Sequence, residues 1–144
     1  MKFILSACML CFCCLCSFAN NVDAVQVVCN TEPKEYILIF RAENMENYQP
    51  TEEEMKQIIE QWGQWIGGIA AKGQLVKTNE LGEEATVVYP DGKAEATPYI
   101  SQNKLVGGYM IVRVTSLAEA TKLANKCPIL AVGGTVEIRS LKAH

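Results

Sequence analysis

A chain of 144 residues, 49% of them hydrophobic, can bury one core of ordinary size and leaves little room for a second domain. Its formal charge of −3, with neither sign gathered into a long run, argues against a nucleic-acid surface and an electrostatic membrane patch. A small neutral or apolar molecule is the partner such a composition accommodates most readily.

Five of the seven cysteines, Cys8, Cys11, Cys13, Cys14 and Cys16, fall within a single apolar stretch. It follows Met1 and Lys2, runs from Phe3 through Phe18, and closes on Ser17-Phe18-Ala19, a small-x-small triplet of the kind signal peptidase cuts. Residues 1–19 are therefore expected to be a leader removed after Ala19, which makes the mature protein secreted or periplasmic, without stable membrane insertion. An uncleaved anchor is one alternative, but about 16 apolar residues fall short of the roughly 20 that a spanning helix needs. A lipoprotein is another, since Leu5-Ser6-Ala7 precedes Cys8, although the apolar run before Cys8 is short for export. Residues 20–34 hold no sustained period beyond Ala24 to Val28 and read as a tether, leaving 35–144 as the domain.

From Glu35 the segment EYILIFR alternates Tyr36, Leu38 and Phe40 against Ile37 and Ile39 with both sets apolar, the pattern of a central strand covered on two sides. A polar loop with Asn44, Asn47 and Pro50 leads to Thr51, which can cap a helix from about Glu52 to Lys72 while Glu54 reaches back in a capping box. Met55, Ile58, Ile59, Trp62, Trp65, Ile66, Ile69 and Ala70 share one face of that helix, and Gly73 supplies its stop. Gly63, Gly67 and Gly68 each cost about 1 kcal/mol against alanine; they imply either close backbone packing or a bend at the double glycine. Next, 85–89 and 93–97 flank Pro90-Asp91-Gly92, a hairpin turn that gives Asp91 a backbone task.

The last unit is a strand over 108–114, a helix over 116–126 and a strand over 135–141. Ser116 and Glu119 form a second capping box, Leu117, Ala120, Leu123, Ala124 and Cys127 share one side, and Pro128 ends the helix. Two crossover units with a hairpin between them predict an α+β, ferredoxin-like antiparallel sheet with both helices on one face. The other face stays bare, and two such sheets facing each other would shield it, which is the physical case for a homodimer.

If Ile37, Ile39, Met110, Val112, Val136 and Ile138 point at the helices, the bare face holds Tyr36, Leu38, Phe40, Tyr109, Ile111, Arg113, Thr135, Glu137 and Arg139. An apolar and aromatic cleft beside Arg113, Arg139 and Glu137 would suit a small aromatic or anionic compound. The plainer alternative is that these charges pair with one another near strand ends. Acid-base groups are scarce: His144 is the final residue, Asp23 sits in the tether and Asp91 in the turn. No metal-ligand spacing and no Ser-His or Cys-His pair is recognisable, and no cofactor is implied. Gly107-Gly108 and Gly133-Gly134 precede strands instead of opening helices, so neither is a phosphate loop.

GGYMIV, SLAEA, CPIL, GGTVEIR and the helix TEEEMKQIIEQWGQWIGGIAAKGQLV resemble the YCII-related proteins, in the branch named after its DGPF motif, over nearly all of residues 35–140. The resemblance implies a dimeric α/β barrel. The DGPF position falls on Ala96-Thr97-Pro98-Tyr99, which keeps Pro98 and an aromatic, Tyr99, but puts Ala96 in place of the aspartate, while Ser101 and Asn103 replace the usual carboxylate and lysine. For a few relatives it implies isomerase- or lyase-like chemistry on ring compounds through a histidine-aspartate pair, which is not recoverable here. It also makes Cys127 the buried Cys-Pro helix stop, against the alternative of a bond to Cys29 that would need the tether to fold back. Three readings stay open: a ligand-binding domain, an enzyme in which Glu137 or Tyr109 moves a proton and Arg113 or Arg139 stabilises charge, and a structural or protein-interaction module.

Overall fold

The computed structural model describes residues 32–44 and 49–142. The leader, most of the tether, Cys29, Asn47 and His144 lie outside them. In chain order the elements are β1 (Lys34–Glu43), α1 (Glu52–Ala70), β2 (Leu75–Glu80), β3 (Val87–Val88), β4 (Ala94–Glu95), β5 (Lys104–Val114), α2 (Leu117–Ala124), a 3-10 turn (Pro128–Val132) and β6 (Thr135–Ser140). Four strands form one sheet in the order β2-β5-β1-β6, every neighbouring pair antiparallel, which is the ferredoxin-like arrangement. Each helix connects two parallel strands that the return strand of the other unit separates.

Both helices pack on the same side. The core joins Tyr36, Leu38 and Phe40 of β1 and Met110, Val112 and Val114 of β5 to Ile69 of α1 and Ala120 and Ala124 of α2, with Val136 and Ile138 of β6 at its margin. Leu38, Met110 and Val112 are sealed from solvent. Phe40 stands edge-on to Trp62 and Trp65, with ring centroids 5.2 and 5.9 Å away, the geometry aromatic quadrupoles prefer. Trp65 Nε1–H donates to the Leu123 carbonyl at 3.1 Å and so ties the helices together.

The assumed parity of β1 is therefore inverted. Tyr36, Leu38 and Phe40 face the helices, and Ile37 and Ile39 face away, because β1 pairs Leu38 with Met110 and Ile37 with Ile111. The assignments in β5 and β6 hold. The sequence also predicts no strand at 75–80, yet β2 pairs with β5 at the sheet edge. A register shift between Leu75 and Lys77 leaves Leu75 and Thr78 as its half-buried residues, three apart, which erases the alternation of a regular strand.

The capping box of α1 is complete: Glu54 N–H donates to Thr51 Oγ1 at 3.3 Å, and Thr51 N–H donates to Glu54 Oε2 at 2.8 Å. In α2 only half forms as expected, for Ser116 Oγ accepts from Glu119 N–H while the Glu119 carboxylate accepts from Thr115 N–H and hydroxyl and from Gln74 Nε2. The apolar faces are narrower than their sequences suggest, since Met55, Ile59 and Leu117 are exposed. Gly63, Gly67 and Gly68 have open space where a Cβ would stand, so close packing is not their purpose and α1 runs unbroken through them. Gly67→Ala and Gly68→Ala should each raise the unfolding free energy by up to about 1 kcal/mol, read as a higher denaturant midpoint at constant slope; a drop for either would mean the position serves a contact.

The hairpin forms but joins no strand of the main sheet. Tyr89 N–H donates to the Lys93 carbonyl, Gly92 N–H donates to the Tyr89 carbonyl, and Gly92 takes φ +83°, a three-residue loop whose last position suits glycine. Asp91 Oδ1 accepts from Lys93 N–H at 3.0 Å, the backbone task expected of it. Residues 81–103 thus make an arm that leaves the sheet after Glu80 and rejoins it at Lys104, and none of its residues is buried.

Candidate functional site: the open sheet face

The strand registers arrange the open face as a grid. Ile37 stands beside Ile111 and Arg139, and Ile39 beside Tyr109 and Glu137. On the β2 side Lys77 pairs with Ile111 and Asn79 with Tyr109. Ile37, Ile39, Tyr109 and Ile111 therefore form a two-by-two apolar block, each half-buried, with Lys77 and Asn79 on one flank and Arg139 and Glu137 on the other.

Ion pairs close both ends. Arg113 Nη2 lies 2.6 Å from Glu35 Oε1 at one end, and Arg41 Nη2 lies 2.8 Å from Glu137 Oε2 at the other. The Arg113–Glu35 pair is exposed and the Arg41–Glu137 pair part-buried, so each adds only modestly to stability and mainly fixes where the charges stand. The Arg41 guanidinium, which hydrogen-bonds Glu137, holds that carboxyl below its usual range, and Arg139 adds to the effect. Tyr109 hydroxyl donates to Asn79 Oδ1 at 3.3 Å. Lys77 and Arg139 make no ion pair among the described residues, which leaves a cation on each flank of the block.

Of the candidate ligand-binding residues, Tyr109, Arg113, Glu137 and Arg139 meet on this face. Tyr36 and Phe40 do not: they are core residues, 7% and 4% exposed, and Phe40 is spent on the tryptophans. Pro98 and Tyr99 stand on the arm, Tyr99 exposed, away from the grid's registers. The expected pairing among Arg113, Arg139 and Glu137 is replaced by pairs to β1, through Glu35 and Arg41, residues missed because the wrong face of β1 was followed. Ser101 and Asn103 belong to a tight turn in which Gln102 and Asn103 take φ +52° and +58°, and Ser101 and Lys104 exchange both backbone hydrogen bonds. They shape the entry to β5, as a two-residue hairpin loop requires.

A family model described as YCII-related domain matches residues 27–143, a span that includes every residue just described. The chain belongs to the YCII-related domain family. No curated protein matches it. In this YCII-related chain the segment Ala96 to Tyr99 lies on the arm, and within that segment only Pro98 is half-buried. No helix among the described residues is long and apolar enough to cross a membrane.

Cys127 is 3% exposed, packed in the core at the end of α2, and bonded to no other cysteine among the described residues, which do not include its possible partner Cys29. Burial pushes this thiol up from 9.0 to about 11. A raised value means the folded state keeps its proton longer, so this contribution is whole below pH 9 and is lost as pH climbs towards 11, on the order of 2 to 3 kcal/mol. Cys127→Ala should flatten that alkaline limb of a stability-pH curve; an unchanged limb would assign it to another group.

Proposed function

We propose that this YCII-related protein is exported and, as a homodimer, binds a small aromatic or anionic molecule against the open sheet face. The observation that carries the reading is the apolar block of Ile37, Ile39, Tyr109 and Ile111 flanked by Lys77 and Arg139. A flat ring covers such a block and removes apolar area from water at roughly 25 cal/mol per Å², while a carboxylate meets a cation on either flank.

Binding without turnover is the better-supported version. The enzyme reading asks Glu137 to move a proton, yet Arg41 holds its carboxyl ionised and low, which makes it both a poor acid and a weak base near neutral pH. Thermal denaturation in the presence of aromatic carboxylates tests the proposal. Stabilisation that disappears in Arg139→Ala and Lys77→Ala, with the ligand-free transition unmoved, supports it. No stabilisation by any such acid, or stabilisation indifferent to both substitutions, overturns it. Export is checked by N-terminal sequencing of protein recovered outside the cytoplasm, with Asn20 the expected first residue.

A further inference from the structure

We propose that the arm formed by residues 81–103 covers the open sheet face of a second copy of this chain, so that each binding face is completed by the partner. Three observations lead there. First, the arm carries large apolar side chains that its own chain leaves in water: Val88 is 71% exposed, Tyr99 66%, Leu81 47% and Ile100 42%. Four such side chains within 23 residues, none of them buried, are apolar area that a covering surface would remove from water.

Second, the charges are complementary. The arm holds Glu83, Glu84, Asp91 and Glu95 against Lys93, a net of −3. The open face holds Arg41, Lys77, Arg113 and Arg139 against Glu35 and Glu137, a net of +2. An acidic, apolar arm suits a cationic, apolar sheet. Its own sheet leaves Val88, Tyr99, Leu81 and Ile100 exposed and so does not cover them.

Third, the open face alone is too small. It offers about a dozen side chains, roughly half of the 20 to 30 residues per partner in a standard interface. An arm that leaves from the end of β2, beside the open face, extends that footprint without another element moving.

The inference rests on the shared, dimeric face proposed above, and the test separates the two. A photo-crosslinking phenylalanine analogue replaces Tyr99, and this chain is mixed with an isotopically heavy wild-type copy before irradiation. Crosslinks from the light arm to heavy peptides spanning 35–41, 106–113 or 135–139 are expected. Crosslinks confined to the light chain, or reaching another surface of the heavy one, overturn the arm. In sedimentation, Glu83→Lys combined with Glu84→Lys should weaken self-association by more than about tenfold by reversing the arm's charge against the cationic face. An unchanged dimer sinks the arm alone, whereas a wild-type chain that stays monomeric at every concentration sinks the dimeric face as well.

Discussion

Phe40→Ala is expected to lower the unfolding free energy by about 3 to 5 kcal/mol, while Ile39→Ala, one residue away, costs about 1 kcal/mol. The asymmetry follows from the pleat. Phe40 is 4% exposed and fills the space between Trp62, Trp65 and the sheet, so its removal forfeits transfer energy, two aromatic contacts and the packing of a cavity that three rigid neighbours cannot close. Ile39 lies half-exposed on the open side, and truncation there returns only part of a side chain to water. Urea unfolding of the two variants gives both numbers from midpoints at constant slope. Near-equal losses, or a larger one at Ile39, would mean that the two faces of β1 are exchanged in solution.

Gly134→Ala should be comparably damaging, at about 3 kcal/mol or more, and Gly107→Ala nearly silent, within about 0.5 kcal/mol. A Cβ on Gly134 would lie 2.5 Å from Ile129 Cγ1, 2.8 Å from the Arg41 carbonyl oxygen and 2.9 Å from the Ile129 carbonyl oxygen. Two of the three obstacles are backbone, and both are held, the Ile129 carbonyl by the Gly134 N–H itself and Arg41 by its place in β1. Relief would have to pull the 3-10 turn away from the sheet. At Gly107 the nearest atom to an added Cβ is 4.0 Å away, an ordinary contact. Thermal melts of the pair distinguish a glycine needed for close approach from one that is not; similar melting temperatures would overturn the distinction.

The sheet and its helices were legible because the crossover units announce themselves through two N-caps, two stops and apolar strands. What failed was local. In β5 and β6 a charge on one side, Arg113 or Glu137, marks the open face, and the reading of those strands stands. The apolar stretch of β1 has no such marker inside it, and the informative residues sit at its ends: Glu35 and Arg41 share the parity of Ile37 and Ile39, and both pair with cross-strand charges on the open face. Following these two odd-numbered charges would have placed Phe40 in the core and brought Arg41 into the site. The strand β2 was illegible for a different reason, because its register shift removes the two-residue period on which strand reading depends.

That same irregularity has a further consequence. An antiparallel sheet ends in two borders of unsatisfied amides, and each invites a neighbouring chain to add itself and then another after it. Here one border is kinked and carries Lys77 and Glu80, and the other, β6, alternates Glu137 with Arg139. Both flanks thus discourage runaway ribbon growth and favour an assembly that closes on itself.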